Sequence, residues 1–198
     1  MDMVILLDNA HGSNTLGKCS PDRSLLEWQW AREIVAMIEK QLLAKGVKIH
    51  RITPENHDVP LSTRCQRVNN YCKQYGTSKC LLVSVHINAA GGDGKWHDAR
   101  GISPWVAKTS SAKSKDFAKM YQVRGEALGL KGNRAVPPQK YWSANFYILK
   151  NTACPAVLTE NCFMDNKEDC EFLKSQKGKE MIAKLHVDAI MEYINKYN

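Results

Sequence analysis

No stretch of the 198-residue chain is apolar for long enough to span a bilayer, so no membrane insertion is expected. The opening run, Met1-Asp2-Met3-Val4-Ile5-Leu6-Leu7-Asp8, is too short for a secretion signal and its leading charge is acidic. It reads instead as a first strand, and the chain either is made without an export signal or has lost one. Proline, glycine and serine do not gather into a linker, and neither repeats nor low-complexity tracts occur. Residues 1–198 are therefore expected to form one domain with a full-sized core, acting as a monomer. Cysteine pairs with zinc-finger or thioredoxin-like spacing are also missing. The seven cysteines, at 19, 65, 72, 80, 154, 162 and 170, are odd in number. They read as free thiols filling the core in a reducing compartment, a disulfide framework being the alternative for an exported chain. Lysine and arginine exceed the acidic residues to give a net charge of +8, yet they form no continuous block or stripe. Such an excess attracts an anionic partner without naming it. A nucleic-acid-binding domain, which would bind in a salt-sensitive way, has no motif behind it.

What is present alternates between strand and helix, the pattern of an α/β fold. Apolar runs predict strands at Met3–Leu7, Val47–Ile52, Cys80–Val85, Gly101–Ala107, Phe146–Leu149 and Ala156–Thr159. Helical periodicity predicts helices over Ser24–Lys45, Leu61–Gln74, Ser114–Gly129, Lys167–Ser175 and Lys179–Tyr197. The expected architecture is a central twisted, mostly parallel sheet of about six strands with helices on both faces. Two segments, Asn88–Arg100 and Lys131–Ala144, lack periodicity and carry glycine or proline, and loops of that length are often binding elements.

Ligands of open α/β sheets bind beyond the carboxyl ends of the strands. Three strands run into polar residues there: Met3–Leu7 into His11, Cys80–Val85 into His86, and Ala156–Thr159 into Glu160. A second carboxylate, Glu27, shares the apolar face of the first helix with Ala31, Ile34, Ile38 and Leu42. A buried carboxylate must be compensated, and a metal ion is one way to do so. Two histidines and one glutamate with a fourth position open form a common set for catalytic zinc, and a further carboxylate can serve as general base. Each residue also has a plainer reading. His11 can satisfy turn hydrogen bonds, His86 can pair with a backbone carbonyl, and Glu27 can meet Arg64 in a buried ion pair. His50, His57 and His97 lie in polar segments and are expected to be solvated, while His186 lies on an apolar helical face. Tyr141 and Trp142 suit either a cleft rim that stacks on sugar or peptide, or ordinary packing. The His-Glu-x-x-His motif of many metalloproteases is missing, so any ligands must converge from distant elements, and spacing alone does not decide.

Five motifs in order, however, resemble those of the zinc-dependent N-acetylmuramoyl-L-alanine amidases: Asp8-Asn9-Ala10-His11-Gly12, then Glu27, Leu61-x-x-Arg64-x-x-x-x-Asn69, Ser84-Val85-His86-Ile87-Asn88-Ala89, and Glu160-x-x-Phe163-x-x-Asn166. The resemblance runs from Val4 to about Tyr193. It implies a phosphorylase/hydrolase-like α/β fold, a zinc ion on His11, Glu27 and His86, and Glu160 as the catalytic glutamate. It places Asn88 and Arg134 among substrate-lining positions. The implied reaction is hydrolysis of the amide between N-acetylmuramic acid and L-alanine in peptidoglycan. With neither a signal peptide nor an obvious wall-anchoring module in the sequence, the expected setting is a phage or prophage lysin. Alternatives are a zinc peptidase or deacylase cutting another amide, and a wall-binding domain without catalysis. Two departures stand out. Cys162 occupies a position where glycine is common, and the usual arginine-aspartate pattern after the second strand is displaced, Arg51 being followed by Ile52-Thr53-Pro54.

Overall fold

In a computed structural model, which describes residues 2–198, the chain forms a six-stranded sheet with helices on both faces. The strands are β1 (Val4–Asn9), β2 (Lys48–Arg51), β3 (Cys80–Asn88), β4 (Ser103–Val106), β5 (Trp142–Ser143) and β6 (Ala156–Phe163). Their order is β2-β1-β3-β6-β4-β5. All neighbours are parallel except β4 against β6. The helices are α1 (Glu27–Leu43), α2 (Leu61–Tyr75), α3 (Ala112–Ala127), α4 (Tyr147–Lys150), α5 (Lys167–Lys174) and α6 (Gln176–Tyr197).

Strand alternation sorts the core into two parts. Ile5, Leu7, Leu81, Val83 and Val85 point toward α1, α3 and α6. Val4, Leu6, Cys80, Leu82 and Leu158 point the other way, toward α2 and α4. A parallel sheet covered on both faces needs near-continuous apolar strands, and β1 is buried along its whole length. In α1 the predicted stripe is buried: Glu27, Ala31, Ile34, Ile38 and Leu42 all face inward. All seven cysteines carry free thiols. Among the described residues, no helix is long and apolar enough to cross a membrane.

The fold differs from the sequence expectation at three places. Phe146–Leu149 is not a strand. It enters a single turn of helix, α4, whose Lys150 and Leu149 amides bond back to the Phe146 carbonyl and whose Ile148 and Leu149 are buried. A four-residue apolar run satisfies either geometry, and packing beneath β6 selects the helix. The strand expected there is supplied instead by Trp142–Ser143, two residues inside the supposed loop 131–144. Finally, β3 and β6 run past Val85 and Thr159 to Asn88 and Phe163. His86 and Glu160 therefore stand within the strands and not after them.

Candidate active site

The segment after β1 is fixed residue by residue. Asp8, buried, accepts from Ser84 Oγ at 2.6 Å and from Arg64 at 3.0 Å. Asn9 donates to the Thr53 carbonyl at 2.6 Å. His11 then adopts a left-handed backbone, φ +52°, with its carbonyl held by Arg32 at 3.1 Å. Gly12 follows because a Cβ there would sit 1.9 Å from the Asp58 backbone nitrogen. Non-glycine residues in this region of φ concentrate at functional sites, where surrounding bonds hold the strain.

This path brings His11 Nε2 to 3.3 Å from Glu27 Oε2. Glu27 Oε1 lies 3.2 Å from His86 Nδ1 and accepts from the Ile87 amide at 3.0 Å. The two imidazole rings meet edge to face at 5.3 Å. One donor atom from each of His11, Glu27 and His86 fits within 4.8 Å of the others. Thus the three side chains read from the sequence as candidate ligands converge. Arg64, the alternative partner for Glu27, is engaged elsewhere by Asp8 and Asp58.

The orientation of His86 can be derived from its neighbours. A carboxylate only accepts, so the Ser84 hydroxyl must give its proton to Asp8. Ser84 Oγ, 3.1 Å from His86 Nε2, therefore accepts from that nitrogen, which leaves Nδ1 as the nitrogen that faces Glu27. The Ser84 role is not read from the sequence, although its position two residues before His86 puts both on one strand face.

Glu160 is the register partner of His86 on the adjacent strand and of Ser103 on the other side. Its Oε2 is buried without a hydrogen-bond partner. Burial and the nearby charge of Glu27 raise its pKa to about 7, against a lowering by His86. Desolvation lowers His11 to about 4. Desolvation also opposes the charged forms of Glu27 and His86, but their mutual contact outweighs it, holding the carboxyl below and the imidazole above their ordinary values. Past His86 the ladder slips by one residue, Asn88 pairing with Phe163. Cys162 takes the extra place with φ +66°, a conformation that favours glycine, so the cysteine stands there against the backbone's preference.

Asn88 and Arg134, expected to line the substrate site, share a cavity of about 490 Å³ at the end of β3, which Asn88 enters two residues past His86. Asn133, Trp105 and Trp142 also line it. Trp105 was not singled out by the sequence. It follows Ser103 on the same strand face and donates its indole N–H to Ser103 Oγ at 3.1 Å. A second cavity that Ala89 also lines, about 240 Å³, is bordered by Gly91, Gly92 and Gly94. Asp165 pins that glycine loop by accepting from the Ala90 and Gly91 amides at 2.8 and 3.0 Å. A larger cavity, about 590 Å³, is lined by Thr77, Cys154 and Pro155, at the opposite, amino ends of β3 and β6. Of the other histidines, His186 is fully buried as expected. His50, expected to be solvated, is half-buried, stacked on Tyr71 at 4.2 Å and 3.3 Å from the Tyr75 hydroxyl.

The sequence profile of the N-acetylmuramoyl-L-alanine amidases matches residues 5–192. The chain belongs to that family. The amidase is 27% identical over 200 residues to the endolysin of Bacillus phage SPP1, covering 98% of this chain and 67% of the endolysin. It is 26% identical over 194 residues to the N-acetylmuramoyl-L-alanine amidase CwlM of Bacillus licheniformis, covering 96% of this chain and 68% of CwlM. Its fold matches the crystal structure of N-acetylmuramoyl-L-alanine amidase from Clostridium difficile 630 with a TM-score of 0.84, at 20% identity and covering 99% and 98% of the two chains. The amidase is thus a hydrolase of the cell-wall-degrading class, on an α/β fold shared with such enzymes.

Proposed function

We propose that the amidase hydrolyses the bond between N-acetylmuramic acid and L-alanine in peptidoglycan, with zinc bound by His11, Glu27 and His86. The observation that carries the reading is the convergence of two imidazole nitrogens and a buried carboxylate within 4.8 Å, beside a second carboxylate with an unpartnered oxygen. The donor set fits zinc: nitrogen and oxygen ligands, three in number, with Nδ1 of His86 turned toward Glu27. Bound there, zinc would bring a water near neutral pKa and polarise the amide carbonyl. Glu160 stands next to His86 on the neighbouring strand with Oε2 committed to nothing. It takes the proton of the attacking water and returns it to the departing L-alanine nitrogen. Asn88 and Arg134 line the substrate path. The likeness to a phage endolysin supports a lysin that reaches the wall once the membrane is permeabilised.

The test is digestion of purified peptidoglycan followed by mass spectrometry. The wild-type chain is expected to release intact stem peptides beginning with L-alanine and to leave unsubstituted glycan. Chelation should stop release and added zinc should restore it. Glu160→Gln should lower the rate by roughly a hundredfold or more while the zinc content stays the same. Fragments cut within the stem peptide would instead identify a zinc peptidase, and undiminished release by Glu160→Gln would remove Glu160 from its role.

A further inference from the structure

Two cavities border Ala89, just past His86 at the end of β3: the one with the two indoles and the glycine-lined one. The scissile amide joins a sugar ring, through its lactyl arm, to a peptide, so a substrate placed across the cluster must send a different chemical group each way. The first cavity carries flat π faces. Trp105 and Trp142 face each other from paired positions on β4 and β5, with ring centroids 6.1 Å apart and planes inclined by 34°. Phe146 braces Trp105 edge-on at 5.5 Å, so the wall is rigid. Trp142 is half-buried, leaving part of its ring open to the cavity. Asn133 lines the same space, and its Oδ1 is buried without a partner. The second cavity offers bare backbone at Gly91, Gly92 and Gly94, which suits an extended peptide better than a ring.

We infer that the Trp105–Trp142 cavity is the glycan subsite: the N-acetylmuramyl pyranose stacks its C–H face on Trp142. The inference rests on the amidase reading above. A bacterial stem peptide has no ring to place against an indole, whereas each sugar has an apolar face of axial hydrogens that an electron-rich ring attracts. Trp142 is then a specificity residue that positions the substrate and takes no part in proton transfer. Arg134, on the rim of the same cavity, is placed to donate to sugar hydroxyls.

The test compares two substrates cleaved at the same amide, N-acetylmuramyl-dipeptide and the D-lactyl-dipeptide that lacks the sugar. Trp142→Ala should lower kcat/KM on the first by roughly tenfold, mainly through KM, and leave the second unchanged. Trp142→Phe should recover most of the loss, because it restores a ring face. Trp142→Leu keeps an apolar side chain in β5 and carries the test if the alanine protein melts early. Quenching of tryptophan fluorescence by the peptide-free disaccharide N-acetylglucosaminyl-N-acetylmuramic acid, titrated into the Glu160→Gln protein, should be lost in the additional Trp142→Leu variant. Equal losses on both substrates would assign the cavity to the stem peptide, and no loss on either would empty it of a role; each overturns the inference. Failure of the wild-type chain to cleave either substrate would instead overturn the amidase reading.

Discussion

Ser84 shows how a single hydroxyl can decide what a histidine offers. It lies between Asp8 and His86, giving its proton to the carboxylate and accepting from Nε2. Without it no acceptor holds the Nε2–H, and the ring can turn Nδ1 away from Glu27. Residues that orient ligands in this way typically alter metal affinity by about 10- to 100-fold. Ser84→Ala is therefore expected to weaken zinc binding by roughly that factor while leaving the fold intact. Competition with a chromophoric chelator measures it, and an unchanged zinc affinity would show that the Asp8–Ser84–His86 chain does not orient the ligand. Cys162 illustrates the opposite case, a residue at odds with its backbone. It sits at φ +66° where the β3–β6 register slips, fully packed by its neighbours. Its departure from glycine is visible in the sequence, but the bulge that makes glycine favourable there is not, since a bulge is a property of two paired strands.

Among the elements, α2 does more than cover the sheet. Its buried Arg64 binds Asp8 at 3.0 Å, the Asn9 carbonyl at 2.7 Å, the Val59 carbonyl at 2.8 Å and Asp58 at 2.7 Å. One side chain thus ties the helix to the segment that delivers His11. Removing one partner of a buried pair leaves the other charge uncompensated, which costs about 3–5 kcal/mol. Arg64→Met, which preserves most of the stem, should lower unfolding stability by about that amount in denaturant titration. A loss below about 1 kcal/mol would mean that water or another cation replaces the guanidinium. The motif carrying Arg64 is legible in the sequence, and so are α1, α2, α5 and the three strands that bring polar residues to one edge. Each of these is long or strongly periodic. Legibility fails where an element is too short to have a period. The turn Tyr147–Lys150 reads as a strand, and the pair Trp142–Ser143 reads as a loop, because their conformations are set by neighbours distant in sequence. The same limit hides the aromatic cavity, whose two tryptophans are brought together by β4–β5 pairing.

For the molecule as a whole, the sheet must be buried on both faces while polar residues still cross it. His186 on α6 is the clearest instance. It is fully buried, its Nδ1 donating to the Ile182 carbonyl at 2.8 Å and its Nε2 standing 3.0 Å from Thr159 Oγ1 on β6. Burial lowers its pKa to about 4, only partly offset by the Ile182 bond. Between about 6.5 and about 4 the unfolded chain takes up a proton that the folded one refuses, so stability falls as the pH is lowered through that window and is fully present above it. The shift corresponds to about 3 kcal/mol lost by roughly pH 4. His186→Gln keeps polar atoms for both partners and cannot titrate. Its unfolding free energy, measured in chelator to exclude metal effects, should lose about 3 kcal/mol less than the wild type between roughly pH 7.5 and pH 4. Every other titrating group, including His11, is common to both proteins and cancels in the difference. Parallel pH profiles for the two proteins would show that His186 is protonated within the fold, and that the contact between α6 and the sheet admits a charge.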